Sequence, residues 1–498
     1  MSQFDWFSKW NIYTPDKIAF KELESGRKFT FKEMNTYSSS IANILQTKYS
    51  IKKGDRVGIL AENCVEFYML LGAAQKTGIV ILPLNYRLTA NELDFIISDG
   101  DPSLIIYEDI FFDKLNNTNS FKKVSQKLSL VEFRELLTSD VAEYIGAPVE
   151  ADDTALLLYT AGTTAFPKGA YYTHGMMFWN SLNSEIRLDI TSEDRSITAT
   201  PAFHTGFWNV LASPFIHHGA YTLIVKNFDS EKVLQALEDE EATIWWAVPT
   251  MLKMMSDSPL FDEVKLTNLR YFIVGGEAMP IPLIEKWHKK GVLIRQGYGL
   301  TEVGPNVTSL NAEHAVSKQG SIGTPNFYIN TKLVDDKGNE VIGEGTGELL
   351  LNGPNVTPGY WKNEEATKET ITDGWFHTGD VVKRDVDGFL FVVDRIKNMY
   401  ISGGENVYPV QVECVIREHP KVDDVAIIGV PDEKWGETGK AFVVLKKNET
   451  FTLEEMTEYC LDKLAKYKIP KHLEIIDELP KNVAGKIDRK RLHKGKKW

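Results

Sequence analysis

Through the first two-thirds of the chain, short β-rich apolar runs alternate with longer amphipathic stretches. Val57–Leu60, Leu104–Tyr107, Tyr221–Ile224 and Tyr271–Val274 read as strands, while Ser230–Glu241 repeats its apolar positions at helical spacing. That alternation predicts layered α/β structure. From about Ile329 the pattern changes to short strands broken by Gly and Asp-Gly turns, as in DDKGN, GEGTGELLLNG and DVDGFLFVVD, and predicts a β-rich subdomain over about 329–396. Beyond Lys397, helices at Val410–Glu418 and Leu453–Leu464 and strands at Val425–Ile428 and Ala441–Leu445 predict a small α+β domain. The expected boundary is 395–398, separating an N-terminal domain, 1–396, from a C-terminal one, 397–498.

Length fits this division, because 498 residues exceed what one core holds and suffice for two or three. With 43% hydrophobic and 25% charged residues the composition is globular. Cys64, Cys414 and Cys460 are odd in number and far apart, suggesting neither a disulfide framework nor a zinc site, and pointing to a reducing, cytoplasmic setting. Gln75 and Lys76 interrupt the apolar stretch from Phe67 to Pro83, and the first residues lack a charged-then-apolar leader, so neither a membrane span nor an export signal is expected. A formal charge of −13 argues against general nucleic-acid affinity. Lys481–Trp498 nevertheless carries eight Lys/Arg against one Asp, which reads equally as a solubilising tail or as a phosphate-facing segment.

The most informative segment is Leu156-Leu-Leu-Tyr-Thr-Ala-Gly-Thr-Thr-Ala-Phe-Pro-Lys-Gly169, a hydrophobic strand running into a loop of Gly, Thr and Lys. Small residues let backbone N–H groups approach phosphate oxygens, hydroxyls add donors, and Lys168 adds positive charge. A polyphosphate suits such a loop, as does an ordinary turn. It is not a Walker A loop, since Gly follows the lysine instead of preceding it.

The segment resembles the phosphate-binding loop of the adenylate-forming superfamily, which includes acyl-CoA synthetases, luciferases and peptide-synthetase adenylation domains. Its usual form is YTSGTTGxPKG. Ala161 replaces the Ser and Ala165 a Gly, while Thr160, Thr163, Thr164 and Lys168 remain. The other motifs follow in order. Gly275-Gly276-Glu277-Ala278, by itself a plain strand-end turn, matches the segment that sets adenine against exposed backbone. Gln296-Gly-Tyr-Gly-Leu-Thr-Glu302 matches the next; the resemblance implies Tyr298 and Gly299 at adenine and substrate, Thr301 at phosphate, and Glu302 with Thr160 at Mg²⁺. Read alone, the Thr-Glu pair is equally a helix cap. Trp375-Phe-His-Thr-Gly-Asp380 matches the ribose motif, although an Asp after Gly is commonly a turn residue. Arg395 joins it by resemblance, or is a surface ion pair with Asp394. Lys397 matches the hinge about which a mobile C-terminal domain rotates between half-reactions, or is a linker lysine. Gly403 and Gly404 match the loop that admits the pantetheine arm, Tyr467, Lys468 and Lys471 match CoA-nucleotide contacts, and Lys486 matches the catalytic lysine.

The resemblance implies an ATP- and Mg²⁺-dependent ligase that converts a carboxylate to acyl-AMP and passes the acyl group to CoA. In the acyl-pocket motif, Pro201-Ala-Phe-His204-Thr-Gly-Phe-Trp208, His204 stands where amino-acid-activating relatives carry Asp, so a free amino acid is disfavoured and a fatty or aryl acid expected. Phe207, Trp208, Trp245, Trp246 and Val248 are either pocket lining or core; His204 is either a gate to the thiol tunnel or a packed aromatic. Two alternatives stand: an enzyme that loads an acyl-carrier protein, disfavoured by the lack of an insertion between Lys397 and Gly404, and a catalytically weak nucleotide- or acyl-binding protein, suggested by Ala161 and Ala165. The oligomeric state stays open, a homodimer included.

Overall fold

The computed structural model describes residues 3–146, 148–160, 167–402, 405–461, 463–482 and 485–493. The expected strands form at Arg56–Leu60, Leu104–Tyr107, Tyr221–Ile224 and Tyr271–Val274. The helix expected to reach Glu241 runs Ser230–Asp239. Asp229 starts it by accepting from the Glu231 and Lys232 amides, and Glu241, in the left-handed region at φ 50°, has already left it.

Packing divides the chain into two compact units, Met1–Thr331 with Leu351–Phe376, and Lys332–Leu350 with His377–Trp498. The first holds three sheets. One has six strands, in the order Gln126–Ser129, Leu104–Tyr107, Arg56–Leu60, Val80–Pro83, Thr154–Thr160, Lys168–Thr173. Its first five strands are parallel and buried among helices; the last folds back antiparallel, pairing Thr160 with Lys168. Another sheet brings Ile244–Ala247, Tyr271–Val274 and Leu293–Tyr298 side by side in parallel, so that the GGEA and QGYG motifs leave at the carboxyl ends of neighbouring strands. Ligands of open α/β sheets bind outside such ends. The apolar stretch from Phe67 is the buried helix Glu66–Thr77 and strand Val80–Pro83. Among the described residues no helix is long and apolar enough to cross a membrane.

In the second unit a five-stranded sheet, built on the hairpin Val422–Asp432 and Gly436–Leu445, packs against the helices Pro409–Arg417 and Leu453–Leu461 around Val412, Ile416, Val425, Ile427 and Met456. The β-rich stretch behaves as its turns require. Asp335 accepts from the Lys337 and Asn339 amides, and Asp385 from those of Asp387 and Phe389, closing the two Asp-containing turns.

The expected boundary at 395–398 is not where packing divides the chain, since residues 377–396 group with those that follow. Asp394 supplies a physical reason. Its buried carboxylate accepts from the Arg395 amide at 2.6 Å, the Asn398 side chain at 3.0 Å and the Val410 amide at 2.7 Å. The end of the strand Leu390–Arg395 is thereby fastened to the first turn of the helix Pro409–Arg417. Asp394→Ala leaves buried donors unanswered and should destabilise the second unit by about 3 kcal/mol in chemical denaturation, with faster hydrogen exchange at Val410. A loss no larger than that of an ordinary surface substitution, ~0.5 kcal/mol, contradicts this account.

Candidate active site

In the first unit the strand Thr154–Thr160 ends on the threonine that begins the Gly/Thr/Lys loop, and Lys168 begins the returning strand. Ala161–Phe166, and with them the expected phosphate donors Thr163 and Thr164, lie outside the described residues. What flanks them is ordered around one carboxylate. Glu302, buried in a short turn Thr301–Val303, receives on Oε1 a hydrogen bond from Tyr360 Oη at 3.0 Å and one from Thr160 Oγ1 at 3.3 Å. The Lys168 ammonium sits 5.3 Å above the Tyr360 ring. Hard oxygen donors from Glu302 and Thr160 fit Mg²⁺, and among the described residues no cluster of three or more His, Cys, Asp or Glu forms an all-protein cage. Such a pair suits a magnesium ion held mainly by nucleotide phosphates and water.

Gly276 follows the strand Tyr271–Val274 at φ 85°, and Gly276, Glu277 and Ala278 are exposed, as backbone offered to a base must be. Half-buried Tyr298 ends the neighbouring strand. Gly299 is fixed by packing: a side-chain carbon there would meet the Pro305 carbonyl oxygen at 1.6 Å.

The acyl-pocket expectation needs correction. Phe207 and Trp208 are 1% and 0% exposed and pack in the core against Phe67 and Tyr68, with Tyr68 stacked on Phe207 at 4.9 Å. Neither has surface open to an acyl chain. Trp245 is core likewise. Trp246, half-buried, lies where the pocket motifs converge, because a side-chain carbon at Gly206 would come within 2.6 Å of its ring and one at Gly275 within 3.7 Å. Val248 stands next to Gly276, 3.5 Å from where a side-chain carbon would be. His204 is half-buried at the start of the short helix Thr205–Asn209, its ring 4.5 Å from that of Phe203.

In the second unit Asp380 faces Arg395 across antiparallel strands, with Arg395 Nε 3.0 Å from its buried carboxylate. The preceding turn is braced by Glu348, which accepts from the Gly379 amide at 3.0 Å, and by Thr378, which donates to the Leu349 carbonyl and accepts from the Asp380 amide. Lys397 is exposed overall, yet its ammonium is held below the ordinary lysine value, first by partial desolvation, then by Arg395, Lys490 and Lys486, with Asp380 opposing. Lys486 is presented by a tight turn in which its amide donates to Asn482 Oδ1 and its carbonyl accepts from the Asn482 amide. Of the basic C-terminal run, then, Lys486 and Lys490 share the electrostatic neighbourhood of Asp380, Arg395 and Lys397.

Gly403 and Gly404 lie outside the described residues. Lys468 donates to Gln411 Oε1 at 2.8 Å and lies 5.7 Å from the Tyr467 ring. Lys471 lies 4.5 Å over the ring of Trp435 and 3.8 Å from Asp432. Sequence reasoning passed over Trp435 and Tyr360; the signal available for Trp435 was an aromatic residue in the polar turn Asp432-Glu-Lys-Trp435-Gly.

The first unit thus holds a buried carboxylate with a lysine nearby, and the second a buried aspartate paired with an arginine. Residues 7–361 match the AMP-binding enzyme family and residues 411–486 the AMP-binding enzyme C-terminal domain. Feruloyl-CoA synthase of an Amycolatopsis species is 37% identical, covering 93% of each chain. Long-chain-fatty-acid–CoA ligase FadD13 of Mycobacterium tuberculosis is 36% identical over 95% of this chain and 94% of the relative. The solved o-succinylbenzoate CoA synthetase (MenE) of Bacillus subtilis, in complex with the acyl-adenylate intermediate OSB-AMP, superposes with TM-score 0.89 at 32% identity, covering 99% of this chain and 98% of that one. The chain belongs to the AMP-binding enzyme family. Its activity is that of an AMP-forming acid–thiol ligase.

The cations around Lys397 yield a pH-dependent prediction. Because its folded-state value is lowered, the charged form weakens the fold below that value, and the penalty fades as pH rises through it towards the ordinary lysine value of 10.5. Lys397→Met should therefore be more stable than the native chain at neutral pH, with the difference shrinking at alkaline pH. Urea midpoints of both proteins at the two pH values check this; a constant or reversed difference contradicts it.

Proposed function

We propose that the chain activates a fatty or aryl carboxylic acid with ATP to the acyl-adenylate, releasing pyrophosphate, and then transfers the acyl group to CoA. The observation that carries the reading is the convergence on Glu302, where Thr160 and Tyr360 meet one carboxylate oxygen beside Lys168. Tyr298 and the backbone of Gly276, Glu277 and Ala278 take the adenine, and Asp380 with Arg395 takes the ribose. A substrate carboxylate oxygen attacks the α-phosphorus and the bond to pyrophosphate breaks. Lys486 offsets the charge of carboxylate and α-phosphate; Lys168, Thr301, Thr163 and Thr164 donate to the phosphates. Magnesium, held with Glu302 and Thr160, supplies Lewis-acid neutralisation of phosphate charge. In the second half-reaction a thiolate attacks the acyl carbonyl and AMP leaves. Rotation about Lys397 exchanges Lys486 for Gly403 and Gly404 at the pantetheine, and Tyr467, Lys468 and Lys471 hold the CoA nucleotide.

Substrate class rests on His204 in place of a counter-charge and on Trp246, which fills the space left by Gly206 and Gly275 with an apolar ring. The relatives' names, feruloyl, long-chain fatty and 2-succinylbenzoate, fall in the same classes. Free thiols at Cys64, Cys414 and Cys460 support a cytoplasmic setting.

Carboxylate-dependent ATP–pyrophosphate exchange over a fatty- and aryl-acid panel, followed by acyl transfer to CoA or to an acyl-carrier protein, tests the reading. Exchange with such an acid and transfer to CoA is the expected result; transfer to carrier protein alone redirects the acceptor, and no exchange with any acid overturns it. Lys486→Ala should lower exchange at least about a hundredfold while sparing thioesterification of preformed acyl-AMP. Equal loss of both steps contradicts the role given to Lys486.

A further inference from the structure

The segment Thr357–Trp361 lies outside the matched motifs, yet it joins the two elements that carry the phosphate chemistry. On one side it is laced to the strand that Lys168 begins. The Trp361 amide donates to the Gly169 carbonyl at 2.7 Å, the Tyr171 amide to the Gly359 carbonyl at 3.2 Å, and Thr357 Oγ1 to the Tyr171 carbonyl at 2.8 Å. On the other side the Thr357 amide donates to the Glu302 carbonyl at 2.7 Å. Tyr360, at the middle of this lacing, is 9% exposed, with its ring under the Lys168 ammonium and its hydroxyl on Glu302 Oε1.

We propose that Tyr360 is a positioning residue of the adenylation half-reaction: its hydroxyl orients the Glu302 carboxylate for the magnesium of Mg·ATP, and its ring holds the Lys168 ammonium beside that carboxylate. The proposal rests on the reading that this site activates a carboxylate with Mg·ATP. A carboxylate on a short turn can rotate about its terminal torsion. Two hydroxyl donors on Oε1, from Thr160 and Tyr360, fix that rotation, and Oε2 stands outside both bonds. The Tyr360 hydroxyl is an uncharged donor set 3.0 Å from Oε1. A neutral donor suits this task. A cation in its place would neutralise the carboxylate that the metal needs, whereas a phenol directs it and leaves its charge. The ring face accommodates the Lys168 ammonium without a carboxylate partner, so lysine and glutamate are kept adjacent by one residue that pairs with neither as an ion.

The full-length chain and two variants decide the matter by calorimetric titration with Mg·ATP and with metal-free ATP in the absence of any carboxylate, alongside thermal midpoints. Tyr360→Phe keeps the ring and removes the hydroxyl. It should bind Mg·ATP about tenfold more weakly, need more Mg²⁺ for half-saturation, bind metal-free ATP as the native chain does, and melt at most a few degrees below it. Tyr360→Leu removes the ring as well and should weaken metal-free ATP too. Unchanged Mg·ATP affinity and Mg²⁺ half-saturation in Tyr360→Phe overturn the proposal, as does an equal weakening of both nucleotide forms with a lowered melting point, which marks a packing role alone. Failure of the native chain to bind Mg·ATP is a different outcome: it overturns the adenylation reading and this proposal with it.

Discussion

The carboxylate of Glu302 is the constraint on which the first unit's chemistry turns. A carboxylate removed from water is costly unless hydrogen-bonded or paired, and the obvious partner, Lys168, lies nearby. Pairing the two would settle the electrostatics but leave neither charge for the metal and phosphate roles proposed for them. Among the described residues the side-chain partners of Glu302 are instead two neutral hydroxyls, and Lys168 rests on an aromatic face. Both charges are thus retained. The surrounding backbone enforces the arrangement, because the strand behind Lys168 and the turn carrying Glu302 are laced to a common segment, Thr357–Trp361.

The second unit gathers cations near a buried carboxylate. Asp380 is buried and paired with Arg395, and Lys397 feels the charges of Arg395, Lys490 and Lys486. Their mutual repulsion is tolerated because the scaffold is held elsewhere. Asp394, one residue before Arg395, spends its carboxylate on two amides and an asparagine and so anchors the strand to the next helix. Adjacent aspartate and arginine thereby do different work. The sequence alternative of a surface Asp394–Arg395 ion pair gives way to two buried carboxylates, one structural and one at the cation cluster.

Periodicity made the elements legible, because an apolar run such as Tyr271–Val274 has few ways to satisfy its backbone other than a buried strand. Ends were less legible. Asp239 ends a helix whose apolar pattern runs on to Glu241, because a backbone φ of 50° is not written in a hydrophobic repeat. Residues 377–396 pack with those that follow for a related reason: the bonds of Asp394 reach across 16 residues to Val410, and no local pattern announces them. Phe207 and Trp208 look alike as pocket or core in sequence, and only their packing on Phe67 and Tyr68, far upstream, places them. Tyr360 is not legible in the sequence because its partner Glu302 is 58 residues away, and only the fold brings the two together.

The two alanines in the phosphate-loop sequence take on a narrower meaning in this light. Ala161 removes one hydroxyl and Ala165 one glycine, so both changes bear on neutral donors and backbone freedom. Neither touches a charge. Lys168 enters on a strand paired in register with Leu156–Thr160, and Glu302 is held by Thr160, at the loop's first position, and by Tyr360, outside it. Electrostatic stabilisation of a departing pyrophosphate depends most steeply on such fixed charges, and single neutral donors contribute less. The substitutions therefore modulate a loop whose flanking lysine and carboxylate are independently positioned, which is why an active ligase, and not a relic nucleotide-binding protein, is the consistent reading of this chain.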